Sequence, residues 1–313
     1  MSIRMRSSPA RPLEAVGHDL DRISALDDRA IFVRTTPARA MEEASASAQR
    51  HDAGHALGPL DGVPIAWKDL FDLRGEATRA GSIVLEDVPA ERDAELVRRL
   101  AEAGAVTVGK LNLTEFAYSV LGLNPHYGTP PNAHGGSEPR VPGGSSSGCA
   151  VAVALGLVPI AIGTDTSGSV RVPAAFNGVI GFKPSGGRWP LDGCFPLSRT
   201  LDTAGVLCRT ISEAIIVDAA ARGVGAPSMG SGGIAGLRLV VPTNVVWGET
   251  EAAVLNNGEA ALRRLADAGA IVERRPVPVL DAVLELNARL GMLVAAEAFR
   301  LHEGRLARHA NRM

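Results

Sequence analysis

The chain has 313 residues, 46% of them hydrophobic and only 4% aromatic, which is enough for a large core built from Ala, Val and Leu. A net charge of −2 gives no broad basic field for a nucleic acid, so that class of partner is excluded. Three cysteines (Cys149, Cys194, Cys208) are odd in number and lack CxxC spacing, which argues against a disulfide framework and a zinc site. The arginines at Arg4, Arg6 and Arg11 are followed by no apolar stretch of a signal peptide. The longest near-apolar run, Cys149 to Gly163, falls short of the ~18–20 residues of a membrane span and contains Pro159. The expectation is a soluble, cytoplasmic protein with no membrane partner.

In chain order, residues 1–58 read as a helical N-terminal segment packing on a core, with Arg39 to Gln49 its best helix. Residues 59–313 read as a single domain. Val63 to Phe71 is a buried strand ending in polar residues, Lys68 among them. Val97 to Val108, VRRLAEAGAVTV, is a helix stopped by Gly104 and followed at once by a strand, and LRRLADAGAIVE at 262–273 repeats that unit. Leu123 to Pro142 is a loop rich in Pro, Gly and Asn. Ser147 to Leu157 suits a small-residue helix, 158–163 a strand, 173–178 a short helix and 179–182 another strand. Gly223 to Gly236 is a connector before the strand 237–242, and one amphipathic helix runs from Asp281 almost to the end. Helices alternating with strands indicate an α/β layered domain.

The stretch Pro142 to Pro173 carries the chemistry. It opens on GGSSSG, crosses an apolar run and closes on Asp165-Thr-Ser-Gly-Ser169. Bare backbone and several hydroxyls flanking a buried run are costly unless something binds there. Gly144-Ser-Ser-Ser-Gly148 formally fits the G-x-S-x-G nucleophile elbow, but no strand precedes it, and the histidines that follow, His302 and His309, fall in what reads as a surface helix. A phosphate loop needs a Lys after its glycines, and none follows Gly148. A purely structural turn explains either half alone, and less well the two together. Lysine usage adds a clue: of 32 basic side chains only Lys68, Lys110 and Lys183 are lysines. Lys, unlike Arg, gives up its proton readily on burial. His51 and His55 stand four residues apart with no third ligand nearby, so no metal site is expected.

Gly62-Val-Pro-Ile-Ala-Trp-Lys68, Gly109 to Ala117, Pro142 to Gly148, Gly163 to Pro173 and Gly181-Phe-Lys-Pro184, in this order, resemble the amidase signature family. The resemblance implies an α/β amidase signature fold, a central mixed β-sheet covered by helices. It also implies hydrolysis of a C–N amide bond without a cofactor, with Ser169 as acyl-forming nucleophile, Ser145 as relay and Lys68 as base. Backbone N–H groups of Thr166, Ser167, Gly168 and Ser169 match the oxyanion hole. Ser146, Asp165 and Arg171 read as supports, as do Lys110 and Lys183, and Glu115, Phe116, Ala117 and Tyr118 as a lining of the acyl pocket. Ser147-Gly148-Cys149 stands where the family usually has Gly-Gly-Ser. Ser147 and the segment 188–198 resemble the allophanate and biuret hydrolase branch, which leans toward a small polar amide or urea-like substrate. Family members usually continue past residue 313, so a C-terminal part of the substrate wall is expected to be missing. The resemblance leaves room for a homodimer, or for an amidotransferase-type subunit that depends on a partner.

Overall fold

The computed structural model describes residues 12–26, 30–225, 233–245 and 247–313. They fall into two compact units, Met1–Pro227 with Glu297–Met313, and Ser228–Ala296. The first unit is built on a six-stranded mixed sheet. Its strands are β1 (Phe32–Thr35), β2 (Pro64–Lys68), β3 (Val106–Leu111), β4 (Ile160–Asp165), β5 (Ile180–Phe182) and β6 (Thr203–Cys208), in the order β1-β3-β2-β4-β6-β5. The inner strands β3, β2 and β4 are parallel, whereas β1, β6 and β5 join antiparallel to their neighbours.

Every residue of β2, β3 and β4 is buried, as expected where helices cover both faces of a parallel sheet. The two faces feed different cores by strict alternation. Ile65 and Trp67 of β2, with Ile160 and Ile162 of β4, pack on one side with α3 (Glu95–Glu102) and α6 (Ile211–Ala221). Ala66 and Ala161 pack on the other with α1 (Pro12–Ser24), α2 (Pro37–Asp52) and α4 (Ser147–Ala154). Residues 147–153 of α4 are all buried, which its small side chains permit. At Gly148 a Cβ would lie 2.5 Å from the Ile31 carbonyl oxygen, and at Gly163 one would lie 2.6 Å from Ser146 Oγ. The start of α4 therefore meets backbone flanking β1 and β3, and the Ser146 side chain lies directly against β4 at Gly163.

Among the described residues the N-terminal segment forms two helices, α1 and α2, and Phe32–Thr35 joins the sheet as an edge strand paired to β3. Both helix-to-strand echoes form as read. Gly104 (φ +92°) ends α3 before β3, and Gly269 (φ +98°) ends α7 (Ala252–Asp267) before β8 (Ile271–Arg275). In the second unit β8 pairs in parallel with β7 (Arg238–Pro242). The single C-terminal helix expected from Asp281 is two helices, α8 (Pro278–Leu290) and α9 (Leu293–His309), broken at Gly291 (φ 80°, ψ 169°). The connector at 223–236 lies in part outside the described residues. Among the described residues no helix is long and apolar enough to cross a membrane.

Candidate active site

Lys68 is the last residue of β2, and Asp165 the last of β4. The carboxyl ends of parallel strands are where open α/β sheets leave a crevice for chemistry. Lys68 is completely buried. Its Nζ lies 2.7 Å from Ser145 Oγ and 2.9 Å from Thr164 Oγ1, and among the described residues no carboxylate pairs with it. Burial pulls its pKa down to about 8, although more distant anionic groups, Asp202 and Asp165 among them, pull the other way.

The other two lysines differ. Lys110, equally buried, sits 2.7 Å from Asp69 Oδ1 and also donates to the Ala77 carbonyl and to Thr78 Oγ1. Lys183 donates to the Pro184 carbonyl at 2.7 Å.

Ser145 follows a cis peptide bond after Gly144, and its carbonyl accepts from the Thr114 N–H. Ser169, only 4% exposed, closes the turn after β4. Among the described residues no hydrogen bond joins the hydroxyls of Ser145 and Ser169; the two segments meet where the Ser146 N–H donates to the Ser169 carbonyl at 3.2 Å. Catalytic hydrogen bonds commonly tighten only around bound substrate. Ser146 Oγ donates to the Thr164 carbonyl, and Ser147 Oγ is buried with no partner among the described residues.

Asp165 organises the second turn. Its buried carboxylate accepts from the N–H groups of Gly168, Val170 and Arg171, and a bidentate pair from the Arg171 guanidinium closes the ring at 3.0 Å on each oxygen. Burial alone would raise the Asp165 pKa, but Arg171 and the backbone donors outweigh it and hold it below the usual carboxylate value. This corrects one expectation for the oxyanion hole: the Gly168 N–H is already committed to Asp165 at 2.7 Å. Thr166, Ser167 and Ser169 keep N–H groups with no partner among the described residues.

The pocket-lining expectation divides. Glu115 accepts from Ser82 Oγ and lies 3.3 Å from His126 Nε2, so its carboxylate is engaged within the protein. Phe116 and Ala117 are buried in left-handed backbone (φ 50° and 62°), while Tyr118 is half exposed. His51 Nε2 rests 3.2 Å from the Asp61 carbonyl. The thiols of Cys149 and Cys208 are pushed up to about 12 by burial, and that of Cys194 higher still, so all three stay protonated at neutral pH.

Two residues of the site escaped the sequence reading, and a third residue, His302, was misplaced by it. Thr164 supplies the second hydroxyl on Lys68 and had a visible signal, since it immediately precedes Asp165. Asp202 had none: it accepts from the Leu197 and Ser198 N–H groups with one oxygen and from Thr166 Oγ1 with the other, tying the 197–202 loop to the second turn. His302, expected on a surface helix, is 5% exposed, its ring tilted against Phe116 with centroids 4.2 Å apart.

Comparison with known proteins agrees with this geometry. A family model described as Amidase matches residues 14–311. The chain is 42% identical over 262 residues to the 2-amino-5-chloromuconic acid deaminase of Comamonas testosteroni, a match that covers 83% of this chain and 56% of that protein. It is 45% identical over 181 residues to the 1-carboxybiuret hydrolase subunit AtzE of Pseudomonas sp. (strain ADP), covering 58% and 39% respectively. A crystal structure of an amidase superposes with a TM-score of 0.85 at 38% identity, over 97% of this chain and 68% of that one. The chain spans about half the length of the curated relatives it matches. With the fold, the buried lysine and both serine-bearing turns in place, the chain belongs to the amidase family.

Proposed function

We propose that this chain carries the catalytic machinery of an amidase that cleaves a C–N amide bond through a seryl acyl-enzyme. The observation that carries the reading is Lys68: fully buried, without a counter-carboxylate among the described residues, and 2.7 Å from Ser145 Oγ. A serine hydroxyl is a weak nucleophile until a neighbour takes its proton. As Ser169 Oγ bonds to the carbonyl carbon, its proton passes to Ser145 and a Ser145 proton passes to neutral Lys68. The carbonyl oxygen gathers negative charge, which the N–H groups of Thr166, Ser167 and Ser169 receive, at roughly 3–4 kcal/mol per well-placed donor. When the C–N bond breaks, the proton returns from Lys68 through Ser145 to the leaving nitrogen, and ammonia or an amine departs. Water then attacks the ester, releasing the acid and restoring Ser169.

The biuret-type relative supports a small polar amide as substrate. The free cysteines Cys149, Cys194 and Cys208 support a reducing compartment such as the cytoplasm. A second reading, a subunit that needs a partner for activity, has the support of that same relative, which is itself named a subunit. A fluorophosphonate probe with mass mapping separates the two. Labelling at Ser169 that is lost in Lys68→Ala supports the self-sufficient enzyme, whereas a folded protein labelled only when a partner is added supports the subunit. A folded protein that is never labelled at Ser169 overturns the serine mechanism.

A further inference from the structure

His302 is buried on α9, yet neither ring nitrogen has a hydrogen-bond partner among the described residues. A buried donor or acceptor left empty costs about 1–3 kcal/mol, so such a group is an unfilled position. Burial, helped by the Arg305 charge, lowers the ring's pKa to about 4. The neutral imidazole at pH 7 therefore offers one N–H donor and one acceptor.

The rings around it form a corner anchored to the catalytic segments. The Phe116 ring lies tilted against His302 with centroids 4.2 Å apart, Phe195 lies 6.0 Å away, and the two phenyl rings are 5.9 Å apart. The Arg305 guanidinium covers the Phe195 ring at 5.4 Å. Phe116 stands two residues after Thr114, whose N–H holds the Ser145 carbonyl. The Phe195 N–H donates to the carbonyl of Leu70, two residues after Lys68. The loop beyond Phe195 is tied through Asp202 to Thr166, and Glu297 of α9 accepts from Ser198 Oγ and Thr200 Oγ1. The segments bearing the base, the relay and the oxyanion donors therefore all brace this aromatic corner.

We propose that His302 is a specificity-determining residue: held between Phe116 and Phe195, its ring N–H receives a hydrogen-bond acceptor on the acyl part of a planar, conjugated amide. Phe116 and Phe195 make the surroundings apolar, and His302 supplies the single polar edge. The inference rests on the amidase reading for the orientation of the ligand, but its test needs no turnover.

Benzamide and its three pyridine analogues, picolinamide, nicotinamide and isonicotinamide, have one shape and differ by a ring nitrogen that moves around the edge. Their binding is measured by calorimetry on the full chain carrying Ser169→Ala. At least one pyridine isomer should bind about tenfold more tightly than benzamide, the scale of one neutral hydrogen bond. Adding His302→Phe should shrink that margin to about twofold or less while benzamide affinity holds. If His302→Phe does not fold, the 15N shifts of the His302 ring in the Ser169→Ala chain serve instead. They should move with the preferred isomer and not with benzamide. A margin that survives His302→Phe, four equal affinities, no binding up to about 10 mM, or an unmoved His302 resonance would each overturn the proposal. Absence of Ser169 labelling would sink the amidase reading and leave this binding test intact.

Discussion

Lys68 and Lys110 sit on adjacent parallel strands, both essentially without solvent, and their surroundings point them to opposite jobs. Lys110 has a carboxylate, Asp69, at 2.7 Å, with a carbonyl and a hydroxyl taking its remaining protons. Lys68 has two hydroxyls and no such counter-charge among the described residues. Desolvation penalises the charged form of both, but only Lys110 receives compensation in kind. The lesson is that burial by itself does not make a base. On the proposed mechanism, a buried lysine becomes one when the acid that could keep it charged is withheld.

The sharpest way to break this contrast is Lys68→Arg, which keeps the charge and loses the ability to shed it. Labelling of Ser169 should slow by about 100- to 10,000-fold, nearly as far as in Lys68→Ala. Most of the rate surviving would remove Lys68 as the base. On the other side, Lys110→Met should leave Asp69 buried and uncompensated, at a cost of about 3–5 kcal/mol in urea unfolding. The double variant Asp69→Leu with Lys110→Met should recover much of that loss, because it removes both charges. Failure to recover would mean that the pair is not the unit that matters.

The pH dependence comes next in size. As the proposed base Lys68 must be neutral to act, and its pKa is lowered to about 8, so the labelling rate should rise through pH 8 and level off above about pH 9. A stopped-flow profile that is flat or falls over that range would contradict the assignment. Thr164→Val removes a hydroxyl that accepts from the ammonium, which should move the midpoint of that profile below 8. Arg171→Ala should have the smallest effect. The guanidinium is half exposed, so the pair is worth about 1 kcal/mol or less, and Asp165 keeps its backbone donors. A larger fall in melting stability would show that the ion pair holds the turn together.

What could be read in advance follows the range of the interaction. The two Gly/Ser turns, α4 and the strands around them are local patterns, in which small residues, a short apolar run and a glycine stop each declare themselves within a few positions. Asp165 with Arg171 was legible for the same reason, lying within one turn. β1 was missed because four residues at a sheet edge owe their conformation to β3, some 75 positions away in the chain. The role of the Asp165 carboxylate toward Gly168 depends on how the turn winds, which the composition of the turn does not state. His302 was misplaced because its helix has a polar pattern of its own. Its burial comes from Phe116 and Phe195, both far off in sequence. Asp202 was missed for the same cause.

The contact of α4 with the sheet has a practical side. Gly148 and Gly163 leave no space for even one methyl group, so variation at the floor of the site would distort the backbone that presents Ser145 and Ser146. Anyone who diversifies this protein to reach a new amide should expect unfolded clones from a library placed on that floor. Positions 116, 195 and 302 carry side chains that pack on one another, and a library there is expected to change shape and polarity with less disturbance of the proposed nucleophile.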